Sequence, residues 1–211
     1  MLYTLIGIFI LILILLITPH LNKKSLIVLS VFLILNKGIE LIYGLIQGNF
    51  YKIPIEFSTI TYFMLPIAIL TKKQTLIDVF VFFGFLAGFS YLILFIFSGN
   101  TIYTLNGLYN TVQGLINHSA ILVLGLYFMK YYPRKHLALK IWIITWMLVI
   151  YMFAISFIID YSDRSLFVVR LLKGTFFVNL FNPIFTKYSI LVYYLLLIIV
   201  YHFIIQIYII I

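Results

Sequence analysis

Two uninterrupted apolar runs, Leu2 to Thr18 and Ser189 to Ile211, frame this sequence. As helices rising about 1.5 Å per residue, each is long enough to cross a hydrocarbon core of roughly 30 Å. The stretch between them has the same character: the chain is 65% hydrophobic and 9% charged, against roughly 25% charged residues in an ordinary globular domain. No fold of this length hides so much apolar surface from water. Lipid is therefore the solvent for most of the side chains.

The first run exceeds the ~7–15-residue apolar core of a secretory leader, starts without a charge and lacks an A-x-A-like cleavage site, so it reads as a retained helix. Apolar runs and the breaks between them predict helices at residues 2–18, 25–47, 54–70, 75–97, 107–130, 137–159 and 188–211. The breaks carry turn and charge punctuation, as in Pro19-His20-Leu21-Asn22-Lys23-Lys24, Thr71-Lys72-Lys73-Gln74 and Ser98-Gly99-Asn100. With no internal repeat, low-complexity tract or linker, the expected fold is an all-α integral membrane protein. It is a single polytopic domain over residues 1–211, a seven-transmembrane-helix bundle.

Lys and Arg set the expected orientation. The first, third and fifth connections hold Lys23, Lys24, Lys72, Lys73, Lys130, Arg134 and Lys135, whereas the second and fourth hold only Lys52. The asymmetry places the odd connections in the cytoplasm, the N-terminus outside and the C-terminus inside a cell membrane. The same distribution accounts for the net charge of +9: the cations sit in short gaps beside head groups, not in a nucleic-acid-binding patch. One stretch resists the scheme. Residues 160–187 carry Asp163, Arg164, Arg170, Lys173 and Lys187 on the expected outer side, which suits an extra interfacial or re-entrant segment. An eighth span, which would move the C-terminus outside, is the alternative.

Polar residues inside spans are the most informative, because an ionisable group at a helix centre costs roughly 2.5–3.5 kcal/mol on the mildest scale. Lys37 and Glu40 are three apart and share a helix face; they are either a structural ion pair or part of a site. The third span opens with Glu56, Ser58, Thr59 and Thr61, and hydroxyls in membrane helices usually bond back to the preceding turn. In the fifth span Asn110, Gln113 and Asn117 follow helical spacing and predict an inward polar stripe, with His118 beside it. A neutral imidazole there is either an interhelical hydrogen bonder or a base. With zero cysteines and no histidine pair at ligand spacing, neither a metal site nor a cofactor is expected.

The segments Ile53-Pro-Ile-Glu-Phe-Ser-Thr-Ile60, Leu65-Pro-Ile-Ala-Ile-Leu-Thr-Lys-Lys73, Val81-Phe-Phe-Gly-Phe-Leu-Ala-Gly88 and Ile116-Asn-His-Ser-Ala120 resemble the YwaF-like family of bacterial integral membrane proteins. Animal relatives of that family look like membrane phospholipid acyltransferases with a cysteine and histidine pair, and more distant ones like intramembrane hydrolases of fatty-acid esters. By position the resemblance puts the cysteine on Ser58 and the histidine on His118, facing one another in a seven-helix bundle. Serine at that place is a departure, since a hydroxyl needs a well-placed base to attack an ester.

The leading expectation is an intramembrane lipid acyltransferase or lipid-ester hydrolase acting on a membrane phospholipid or fatty-acyl ester. Ser58 is the nucleophile and His118 the general base, with Asn117, Gln113, Thr59 or Thr61 as oxyanion donors. Arg170 and Lys173 are candidates to hold a lipid phosphate, or else cations reaching toward head groups. Counted from the outer helix ends, Ser58 lies shallower than His118 by more than a hydrogen bond, a gap that tilt or a different helix start must close. Two other readings stand beside this one: a transporter or substrate-capture subunit with a small polar cavity, and a structural membrane protein whose polar residues only pack helices.

The expected topology is testable in the cysteine-free background. Single cysteines at Gln74 and Asn100 should differ in labelling by an impermeant maleimide, Asn100 reacting from outside and Gln74 not. Equal labelling of both from outside rejects the orientation.

Overall fold

The computed structural model describes residues 2–48, 57–131, 138–156, 199 and 202–208. All its elements are helical: α1 (Leu2–Ile17), a 3-10 turn (Thr18–His20), α2 (Lys23–Ile46), α3 (Phe57–Thr71), α4 (Gln74–Tyr131) and α5 (Ala138–Ser156), with a further helical stretch at 202–208. By length and composition three helices are able to cross a membrane: Leu2–His20, Lys23–Ile46 and Gln74–Lys130. Phe57–Thr71 and Leu139–Tyr151 are apolar but shorter. Lys52, Glu56, Arg134, Lys135, Arg170 and Lys173, and with the last two the expected interfacial segment, lie outside the described residues. The chain divides into two compact units, Met1–Pro133 and Arg134–Ile211.

Local chemistry explains where the helices of the first unit begin and end. Thr18 donates its hydroxyl to the Ile14 carbonyl at 2.6 Å, and Pro19 falls in the 3-10 turn that closes α1. Asn22 then caps α2, its side chain accepting from the Ser25 backbone nitrogen at 3.0 Å and so satisfying a donor that the first turn leaves open. Gly48 (φ 67°) follows the end of α2 and Lys72 (φ 55°) follows the end of α3, the left-handed step that lets a chain leave a helix. Pro66 lies inside α3. It has no N–H to give the Tyr62 carbonyl one turn earlier.

α4 behaves as two helices. Its 58 residues are interrupted at Ser98 (φ −133°, ψ 22°) and Gly107 (φ 73°, ψ 173°), close to the predicted break, although residues 99–106 stay helical. The arms on either side, 74–97 and 108–131, run antiparallel and meet through glycines. A Cβ on Gly88 would lie 2.6 Å from the His118 carbonyl oxygen and 2.9 Å from the Leu122 Cα, and one on Gly125 would lie 2.7 Å from the Phe85 backbone nitrogen. Backbones can approach this closely only where a side chain is missing. Gly84, one turn before Gly88, continues the seam against the Ile121 carbonyl.

The other helices of the first unit pack around this pair. α1 lies against it through Ile14, which joins Leu92 and Leu122 in a buried cluster, while Tyr3 meets the Phe95 ring edge-on at 6.0 Å. α3 packs on the first arm, where Phe57 stacks on Phe83 at 5.5 Å and Leu65 is fully buried beside Gly84. The outward sides of α1 and α2 expose Leu5, Phe9, Leu16, Leu35, Ile39 and Ile42. So large an apolar exterior is what a lipid-facing helix presents and what a water-facing one does not. In the second unit, Trp142 of α5 packs near His202 at 4.9 Å, and Thr145 bonds back to the Ile141 carbonyl at 2.7 Å.

Because the seam leaves no room for a methyl group, Gly88→Ala and Gly125→Ala should each destabilise the fold by about 1–3 kcal/mol, the usual cost of overpacking. Gly38, whose Cβ position has no atom within 4 Å, serves as the control. Thermal unfolding in detergent should show lowered midpoints for the two seam variants and no loss for Gly38→Ala.

Candidate functional site

Polar side chains from α2, α3 and both arms of α4 gather at one place. On α2, the Lys37 ammonium lies 2.6 Å from the Glu40 carboxylate, with the two side chains only 14% and 19% exposed. The pair forms as its three-residue spacing implies, and each charge lowers the desolvation cost of the other. Lys37 also sits 4.7 Å from the centre of the Tyr62 ring, near enough for the ring face to attract a cation.

The next layer is His118. Its Nδ1 is 3.1 Å from the Ala87 carbonyl, and since a carbonyl only accepts, that nitrogen carries the proton in this contact. The other nitrogen, Nε2, then holds the lone pair. The ring is braced on two sides: Tyr91 stacks on it at 3.9 Å and 4°, and Tyr62 meets it edge-on at 5.3 Å. Ala87 and Tyr91 are one turn apart on the first arm, and His118 crosses to them from the second because the glycine seam brings the arms together. The imidazole thus has a set orientation and a set tautomer.

Asn36 of α2 links to the second arm, its amide nitrogen donating to Gln113 Oε1 at 3.0 Å and to Asn117 Oδ1 at 2.7 Å. Asn117 is wholly buried, yet its own amide nitrogen has no hydrogen-bond partner. A buried donor left open costs on the order of 1–3 kcal/mol and calls for an explanation. The predicted polar stripe is inward only in part: Gln113 and Asn117 turn toward α2, but Asn110 is exposed. Close to the reversal at Gly107, Asn110 satisfies itself by donating to the Asn106 carbonyl at 2.9 Å.

Ser58 stands in the first turn of α3, half-buried. α3 and the first arm are antiparallel neighbours joined by a tight turn, and Ser58 lies as many residues before Thr71 as Ala87 lies after Gln74. By the helical rise both are about 20 Å from the turn, and the contact between Thr61 and the Gly84 position supports this register. Ser58 is therefore level with the carbonyl that holds His118. Counted from this turn and not from the outer ends of the spans, the depth gap between them closes. No hydrogen bond joins Ser58 to His118 among the described residues, and Tyr62, one turn along the Ser58 face, packs against the imidazole. Thr61 is buried and its hydroxyl donates to the Phe57 carbonyl at 2.6 Å, whereas Thr59 is half-buried.

Asn36, Tyr62 and Tyr91 were not among the residues singled out from the sequence. Asn36 had a signal, a third polar residue beside Lys37 and one turn before Glu40 in an otherwise apolar run. The tyrosines had none, since 17 of them are spread along the chain. Among the described residues no group of three or more His, Asp or Glu is arranged to hold a metal ion. Comparison with protein-family models, curated proteins and solved structures gives no match to this chain.

The ion pair on α2 predicts an inverted mutational order. Lys37→Leu alone takes the compensating cation from beside the part-buried Glu40 carboxylate, so it should destabilise more than Lys37→Leu combined with Glu40→Leu. The difference should be about 1–2 kcal/mol, less than the roughly 3–5 kcal/mol of a fully buried pair because both groups keep some exposure. Denaturant titrations of the two variants check the order.

Proposed function

We propose that the chain is an intramembrane lipid acyltransferase or lipid-ester hydrolase of a bacterial-type cytoplasmic membrane, using Ser58 as nucleophile and His118 as general base. The observation that carries this reading is the state of His118, whose Nδ1 is engaged by the Ala87 carbonyl at 3.1 Å. A base oriented by a third group is half of the nucleophile–base–orienter arrangement that activates a weak nucleophile. Ser58 lies at the matching level on the neighbouring helix. Catalytic hydrogen bonds are often long without substrate and tighten on binding, so the pair is read as poised. Membership of the YwaF-like family, a seven-span bundle and an outside N-terminus belong to the same proposal.

In the reaction, Ser58 Oγ bonds to the ester carbonyl carbon while its proton passes to His118 Nε2, and the carbonyl electron pair moves onto oxygen. Collapse of that intermediate breaks the bond to the alcohol, which leaves with the proton from His118. Water or an acceptor hydroxyl then attacks the acyl-serine by the same route and restores both residues. Of the oxyanion donors expected from sequence, the buried Asn117 amide has the open N–H, while the Thr61 hydrogen is spent on Phe57. Arg170 and Lys173 stay in the proposal as candidates for the lipid phosphate. The substrate is a membrane phospholipid or fatty-acyl ester.

A second reading, a non-enzymatic transporter or substrate-capture subunit, is favoured by that same open Asn117 donor together with Gln113, Asn36 and the Lys37–Glu40 pair, which make a polar lining between helices.

A fluorophosphonate probe in native membranes should label the protein, and Ser58→Ala should abolish the label. His118→Gln should slow labelling by about 100-fold or more, the usual contribution of a general base. A folded protein that takes no label weighs against the enzyme reading and for the capture or structural readings.

A further inference from the structure

A cavity of about 450 Å³ opens at the far end of α3 from Ser58, where the start of α2, the α3–α4 turn and the end of the second arm meet. Its volume lies within the roughly 300–1,000 Å³ range of small-molecule sites. The walls include Leu26, Ile69, Ile77 and Phe128, all buried. The rim is of opposite character, with Lys23 and Lys72 lining it and both exposed to the surroundings.

The charge at this mouth is one-sided. Lys24 and Lys73 adjoin the two rim lysines in sequence and add to the positive field without lining the cavity. The nearest acid along the chain, Asp78, is engaged by the Gln74 amide at 2.6 Å. The turn that carries Lys72 is pinned, with the Lys72 and Lys73 nitrogens donating to the Ile69 and Ala68 carbonyls at 3.2 and 3.1 Å. Two exposed cations beside an apolar cleft, one of them on a pinned turn, match one class of ligand, an amphiphile with an anionic head and a hydrocarbon tail.

We propose that this cavity is a binding site for an anionic phospholipid, its phosphate between Lys23 and Lys72 and an acyl chain against Leu26, Ile69, Ile77 and Phe128. The site is separate from Ser58 and His118 and does not depend on their chemistry; it rests only on the chain residing in a bilayer. Its occupant comes from the leaflet at the lysine end of the helices.

The test uses the full chain purified in detergent, with phosphatidylglycerol or phosphatidylcholine added and retained lipid read by native mass spectrometry. Phosphatidylglycerol should be retained in preference to phosphatidylcholine. Lys23→Gln with Lys72→Gln should weaken its retention by more than about tenfold, at about fivefold per lysine. Lys24→Gln with Lys73→Gln removes the same charge from beside the cavity and should change retention by less than a factor of about three. Equal losses in the two double variants would mean diffuse attraction and overturn the site, as would equal retention of the two lipids. Displacement of phosphatidylglycerol by millimolar inorganic phosphate would assign the rim to free phosphate and overturn the lipid occupant. All four substitutions fall on exposed side chains, and thermal unfolding of each variant verifies that the fold is intact.

Discussion

The close approach of two backbones at the glycine seam of α4 is the constraint on which the rest of the first unit depends. Lipid tails are as apolar as leucine, so helices in a membrane gain little from burying apolar surface and associate instead through tight packing and polar contacts. Gly84, Gly88 and Gly125 let the arms come near enough for backbone atoms of one to touch those of the other. The same spacing carries the His118 ring across to the Ala87 carbonyl and the Tyr91 face. Packing and site geometry are thus one feature: whatever separates the arms also releases the imidazole.

Around that seam the polar groups obey a single rule. In apolar surroundings each donor or acceptor finds a partner within reach or is expensive to keep. Thr18, Thr61 and Thr104 return their hydroxyls to their own helices. Lys37 and Glu40 answer each other. Asn36 serves two acceptors at once. Against this background the open amide of Asn117 remains, as do the buried hydroxyls of Ser30, Ser98 and Thr111, which also lack a hydrogen-bond partner.

Much of this was legible in the sequence, and for physical reasons. Apolar run length and turn punctuation located α1, α2 and the two arms of α4 within a few residues, because a hydrocarbon core demands a fixed length of helix. The Lys37–Glu40 pairing followed from helical spacing alone. The closeness of the arms was not legible, since glycines at residues 84, 88 and 125 read equally well as loose or as tight contacts until the partner helix is known. For the same reason the aromatic cradle of His118 was invisible: Tyr62 and Tyr91 acquire meaning only from which helices adjoin. Asn110 departs from the inward stripe that helical spacing predicts, because it sits near a chain reversal and bonds to its own backbone.

The placement of both members of the Lys37–Glu40 pair on one helix also bears on how the protein is made. A charge whose partner lies on another helix must wait, exposed to hydrocarbon, until that helix arrives. Here the partner is one turn away on α2, so neutralisation is available as soon as that turn has formed and before α3 has been synthesised. To the insertion machinery α2 then presents a compact dipole in place of two separate ions, which lowers the cost of bringing that turn into the bilayer.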